Sequence, residues 1–131
     1  MQTIATGTFE VKIEPQVDEK MQEQNLGRMK IDKQFHGDLE ATSKGQMLSA
    51  MTGVKDSAGY VALEKVTGTL NGLTGSFILQ HNATMTRGTP QLNIIVVPDS
   101  GTDHLLGLTG NMEIIIESGK HSYKFTYSLP T

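Results

Sequence analysis

Glu64 and His81 are the residues best suited to acid–base work in this chain. Glu64 stands in Tyr60-Val61-Ala62-Leu63-Glu64-Lys65-Val66. It shares a face with Tyr60, Ala62 and Val66, while Val61 and Leu63 lie on the other with Lys65. Both faces are part apolar, so two readings stand. Inside a core, desolvation raises the Glu64 pKa and suits the carboxyl to proton transfer. On the surface it is a solvated acid beside Lys65. His81 alternates in step with Phe77, Leu79, Ala83 and Met85. A histidine on such a face is a satisfied core imidazole or a proton-transferring group that meets a ligand.

His121 shares a face with Tyr123, Phe125 and Tyr127, whose two hydroxyls need partners if buried. Tyr60, Phe77, His121, Tyr123 and Tyr127 together form the expected ligand-binding lining, an apolar pocket with a few polar groups. Satisfied burial of the same polar atoms explains them equally. Asp99 is the third candidate for catalysis. It lies in Pro98-Asp99-Ser100-Gly101-Thr102-Asp103-His104, where Asp99 and Asp103 could pair as carboxylates of split pKa. Asp and Ser also begin turns by bonding their own backbone, and that reading is preferred. Asp99, Asp103 and His104 lack a recognised ligand spacing. The methionines fall in separate segments and read as core filler rather than a copper site. No metal and no cofactor is expected, and no phosphate loop, nucleophile elbow or His-Glu-x-x-His motif occurs.

Composition narrows the partners. The net charge of -3 and scattered basic residues argue against a phosphate-tracking groove, so no nucleic acid is expected. Cysteine is absent, which removes disulfides and thiolate chemistry and suits a cytoplasmic location. The first residues carry no signal-peptide pattern, and no run is long enough to span a membrane. The 131 residues suit one domain.

Period-2 alternation predicts the elements that hold these side chains. Eight segments show it: 3–13, 28–36, 38–52, 59–70, 76–86, 91–97, 111–117 and 121–129. Gly37-Asp38, Asn71-Gly72, Arg87-Gly88 and Ser118-Gly119 mark turns between them. The polar stretch 14–27 suits a loop or a turn or two of helix. Gly-Leu-Thr-Gly occurs at 72–75 and 107–110, and reads as one turn used at two corners, with the first copy bordering any site. Eight consecutive strands most economically make an all-β, closed, antiparallel up-and-down barrel. A two-sheet sandwich is the alternative. Apolar residues on both faces of 91–97 and 111–117 predict a homo-oligomer.

Gly7-Thr8-Phe9, Gly59-Tyr60-Val61-Ala62-Leu63-Glu64, Gly68 to Phe77 with His81, Pro98 to Thr102, Gly107 to Gly110 and His121 to Pro130 resemble, nearly end to end, a bacterial family of unknown function. Its members occur in Shewanella and many other bacteria. The resemblance implies an allene-oxide-cyclase-like barrel, an eight-stranded meander, and carries no established activity. Plant enzymes of that type bind an apolar fatty-acid epoxide and steer its cyclisation, but no cyclase motif is matched here residue by residue. Three functions follow: a barrel binding a small apolar or amphipathic molecule, an isomerase-, cyclase- or hydrolase-like enzyme using the internal carboxylate and histidine, or an oligomeric structural module. The first is preferred.

Overall fold

The computed structural model describes residues 2–130. Its strands are β1 Thr3–Gln16, β2 Leu26–Gly37, β3 Leu39–Met51, β4 Ala58–Leu70, β5 Leu73–Thr86, β6 Thr89–Val96, β7 Thr109–Glu117 and β8 Lys120–Ser128. Each pairs antiparallel with the next, and β8 returns to β1, so the sheet closes into the expected up-and-down barrel and not a sandwich. In the stretch 14–27, β1 continues to Gln16 and a short helix, α1 Glu19–Glu23, follows, its first turn capped by the Asp18 side chain. None of the described helices is long and apolar enough to cross a membrane.

The turns obey local chemistry. Leu70 pairs with Leu73 across Asn71-Gly72, both at positive φ (46° and 84°). That two-residue turn has the twist that adjoining strands need. The second Gly-Leu-Thr-Gly is built differently. Gly107 follows a 3-10 turn at Asp103–Leu105, and Leu108 is buried where Leu73 is exposed. The shared four residues therefore make two turns, not one, because the chain entering them differs. Both stand at the closed end of the barrel, so the first copy does not border the candidate site described below.

The barrel is closed at one end and split at the other. β1 and β8 pair from Thr3 with Tyr127 as far as Thr8 with Ser122. β6 and β7 meet only at Ile95 with Asn111. Beyond these points the β7–β8 hairpin leaves the wall on both sides and faces a trough made by β1 to β6. The closed end is packed solid. Phe77 stacks on Phe125 (ring centroids 5.6 Å apart), Phe125 on Tyr127 (5.3 Å), and Phe35 meets Tyr123 edge-on (5.6 Å). Leu105 and Leu108 of the β6–β7 connection join this core.

Tyr123 ties that end together. Its hydroxyl accepts from the Leu39 N–H and donates to the His36 carbonyl, each at 2.9 Å, which links β8 to the β2–β3 corner. Gly7 makes room for it: a Cβ there would collide with the His36 carbonyl and stand 2.5 Å from the hydroxyl. Tyr123→Phe is expected to lower stability by about 1–3 kcal/mol, since it leaves a buried N–H unpaired. Chemical denaturation of the two proteins checks this.

Candidate functional site

Four consecutive strands place one polar side chain each inside the barrel, at the boundary between packed core and open trough. Lys33 comes from β2, Ser43 from β3, Glu64 from β4 and His81 from β5. The registers that put Ser43 opposite Lys33 and His81 opposite Ala62 bring all four to Glu64. Gly45 faces Glu64 across the β3–β4 ladder, where a Cβ would strike the Leu63 carbonyl and lie 2.7 Å from the Glu64 Cα. Glycine there lets the two backbones approach beneath the carboxylate.

Glu64 is 1% exposed. Its Oε1 accepts from Ser43 Oγ at 2.6 Å, and its Oε2 from Lys33 Nζ at 2.8 Å and His81 Nε2 at 2.5 Å. Lys33 also lies over the Phe9 and Phe35 rings, 5.2 and 5.8 Å from their centroids, which adds cation–π attraction to its ion pair. Burial alone pushes the carboxyl pKa up. The His81 hydrogen bond, the Lys33 and His81 charges and the Lys33 hydrogen bond outweigh it and hold the pKa at about 2 instead of 4.5. The expectation that burial would raise it is therefore corrected. Glu64 is an anion at neutral pH, unsuited to donating a proton there. Burial, and second the Glu64 charge, push the Tyr60 hydroxyl upward, so it stays a neutral phenol.

This arrangement assigns the imidazole. A carboxylate only accepts, so the Nε2 facing it carries the proton, and in neutral His81 the lone pair lies at Nδ1. Nδ1 has no hydrogen-bond partner among the described residues, yet no fully buried side-chain nitrogen or oxygen there lacks one. Nδ1 therefore reaches accessible space. One inward step toward the open end, the Tyr60–Ala83 rung borders a cavity of about 390 Å³. Met47, Met85, Leu92 and Ile116 complete its apolar wall, with Ile116 contributed by the β7–β8 hairpin. A second slot, about 560 Å³, opens where β1 and β8 part, between Phe9 and Val11 on one side and Lys120 and His121 on the other.

Glu64, His81 and Tyr60 thus stand together, and His121, edge-on to Phe9 at 5.3 Å, flanks the slot. Three lining expectations are corrected. Phe77, Tyr123 and Tyr127 belong to the packed closed end, with the Tyr127 hydroxyl accepting from Asn71 Nδ2 at 2.6 Å. Asp99 is also apart from the site. It is an exposed turn residue at φ 62°, in a loop whose hydroxyls serve β5: Ser100 Oγ accepts from Ile78 N–H, and Thr102 Oγ1 from Ser76 N–H. The methionines are only partly filler. Met112 is buried, but Met29 and Met47 face each other, and Met51 and Met85 flank Ala58, on the inner face of the trough. Lys33 was missed by the sequence reading. Its signal was its step with Met29, Ile31 and Phe35, masked because lysine is ordinarily a surface residue.

The fold and site define a class: a small antiparallel barrel, half packed and half open, with an ionic cluster at its waist. The chain belongs to the family described as "Protein of unknown function (DUF3224)", whose profile matches residues 5–127. A crystal structure of a DUF3224-family protein of unknown function from Shewanella oneidensis MR-1 is 50% identical, with a TM-score of 0.94 over 100% of this chain and 99% of that one. No curated protein matches.

The folded-state pKa of Glu64 lies below its usual value, so its stabilisation is complete above about pH 4.5 and is lost as pH falls toward about 2. The difference corresponds to roughly 3 kcal/mol. Glu64→Gln is expected to flatten that acid limb and to cost about 3–5 kcal/mol at neutral pH by leaving Lys33 unpaired. Denaturant midpoints measured across the acid range for both proteins test the sign and the size.

Proposed function

We propose that the protein binds a small, partly apolar molecule in the open half of its barrel. One observation carries this reading: a buried charged cluster lies one inward step below an apolar cavity that opens beside the β7–β8 hairpin. Cores fill such space unless something else occupies it. The methionine and tyrosine walls suit an adaptable apolar contact, since thioethers repack around irregular shapes and attract aromatic rings. The Glu64–His81 pair also supports an isomerase-, cyclase- or hydrolase-like proton transfer on the bound molecule, with Nδ1 as base. Ala83→Trp is expected to fill the cavity and abolish binding of the fluorescent probe N-phenyl-1-naphthylamine without changing the circular dichroism spectrum. Equal binding by the two proteins would remove the cavity from consideration.

A second reading concerns the outer wall. Leu48, Val61 and Leu63 are 47%, 50% and 54% exposed and adjoin one another through the β3–β4 register. Gln46, Gln80 and Asn82 border them, with Arg28 opposite Leu48 and Lys65 two positions beyond Leu63 on the same face. Two copies could meet over this apolar centre with the basic residues left at its rim, which supports a homo-oligomer. Native mass spectrometry is expected to show an oligomer that Val61→Glu dissociates. A monomeric wild type would exclude it.

A further inference from the structure

We propose that the bound molecule is a small organic monoanion with an apolar body, and that its negative group is held by His81 in the protonated form. The proposal rests on the binding reading above and adds the class of ligand. Its basis is the charge census of the barrel interior. The strand registers place one acid, Glu64, one lysine, Lys33, and two histidines, His81 and His121, among the inward-facing positions. Among the described residues no second carboxylate faces inward on a strand. Lys33 already neutralises Glu64 through a 2.8 Å contact. A proton added to His81 therefore gives the Lys33–Glu64–His81 cluster a net charge of +1, which an anion meeting Nδ1 would offset.

Geometry puts the free valence of that charge where a ligand can meet it. Glu64 holds Nε2–H, so the second proton of the imidazolium sits on Nδ1, which reaches accessible space. The groups facing His81 come from the neighbouring strands. From β4 these are Glu64 and the neutral Tyr60 hydroxyl, whose ring lies 6.5 Å away. Lys33 of β2 reaches the same carboxylate. The β6 neighbour is Ile94, which cannot titrate. His121 of β8 stands apart, against Phe9 at the β1–β8 slot. Nearer the mouth, the cavity walls are Met47, Ala83, Leu92 and Ile116, which suit an apolar body and offer no charge. The cavity sits one rung, roughly 7 Å, above His81. A molecule with its acid at one end and its apolar mass at the other spans that distance. Binding an anion in this way takes up a proton at His81 whenever the free protein holds it neutral.

Two probes of one shape separate the charge from the cavity: 2-naphthoate and the neutral 2-naphthylmethanol, titrated calorimetrically into the full chain. Near pH 6, 2-naphthoate is expected to bind about tenfold or more tightly than the alcohol. Its affinity should fall as pH rises, by at most about tenfold per pH unit, while the alcohol stays flat. In buffers of different ionisation enthalpy, 2-naphthoate binding should take up more protons per site than alcohol binding, by the same linkage. His81→Gln should keep alcohol binding and lose both the anion preference and the proton uptake. His121→Gln should keep both. Equal, pH-independent affinity for the two probes overturns the anion assignment and leaves the cavity reading standing. Binding of neither probe overturns both. A preference that survives in His81→Gln places the anion elsewhere and overturns the assignment to His81. Should His81→Gln fail to fold, the wild-type probe comparison and proton count decide alone.

Discussion

A carboxylate buried inside a β-barrel is the constraint on which the upper half of this molecule depends. Glu64 cannot be removed from water as an anion without donors close by. They come from β2, β3 and β5, and Glu64 itself from β4, so four consecutive strands are bound to one point. A slip of one residue in any of these registers would turn its polar group to the outer wall and bring the opposite face in. The ionic cluster thus selects the register as well as being produced by it. The small residues around it, Gly45 and Ala62, follow from the same requirement, because bulk there would separate the backbones that carry the donors.

Below that waist the barrel behaves as an ordinary core. Stacked aromatic rings, Leu105 and Leu108 fill the space, and every tyrosine hydroxyl there has a backbone or side-chain partner. Above it the architecture changes, because β7 and β8 are short and their far ends pair only with each other. Two stretches of strand edge are left beside the hairpin, and the slots along them reach the interior. Closure at one end supplies rigidity, and the incomplete ladder at the other supplies access. A binding site needs both, since its polar groups must be held in place while its walls admit a molecule.

Much of the fold was legible. The alternation of apolar and polar residues marks all eight strands to within a few residues, and dipeptides such as Asn71-Gly72 and Ser118-Gly119 mark the hairpins, because side-chain direction and turn twist are local properties. The inward direction of His81 was legible for the same reason. Glu64 was not, since both faces of β4 carry apolar residues: Val61 and Leu63 lie on an outer patch, so hydrophobicity could not distinguish inside from outside. Lys33 was overlooked although its parity was correct. In the loop 98–104 the preferred turn reading holds, since its hydroxyls satisfy the edge of β5, while Asp99, also considered for catalysis there, stands apart from the site.

The amino-acid sequence by itself determined the strand set, the turn positions and the apolar half of the interior, all of which follow from period-2 patterning and backbone preferences within a few residues. Only the tertiary structure decided that Lys33, Ser43, Glu64 and His81 meet, and that Glu64 is held ionised rather than neutral. Those four lie up to 48 positions apart in the chain, from Lys33 to His81. Whether burial raises a carboxyl pKa or a neighbouring cation lowers it depends on distances of a few ångströms, set by the closure and register of the whole barrel.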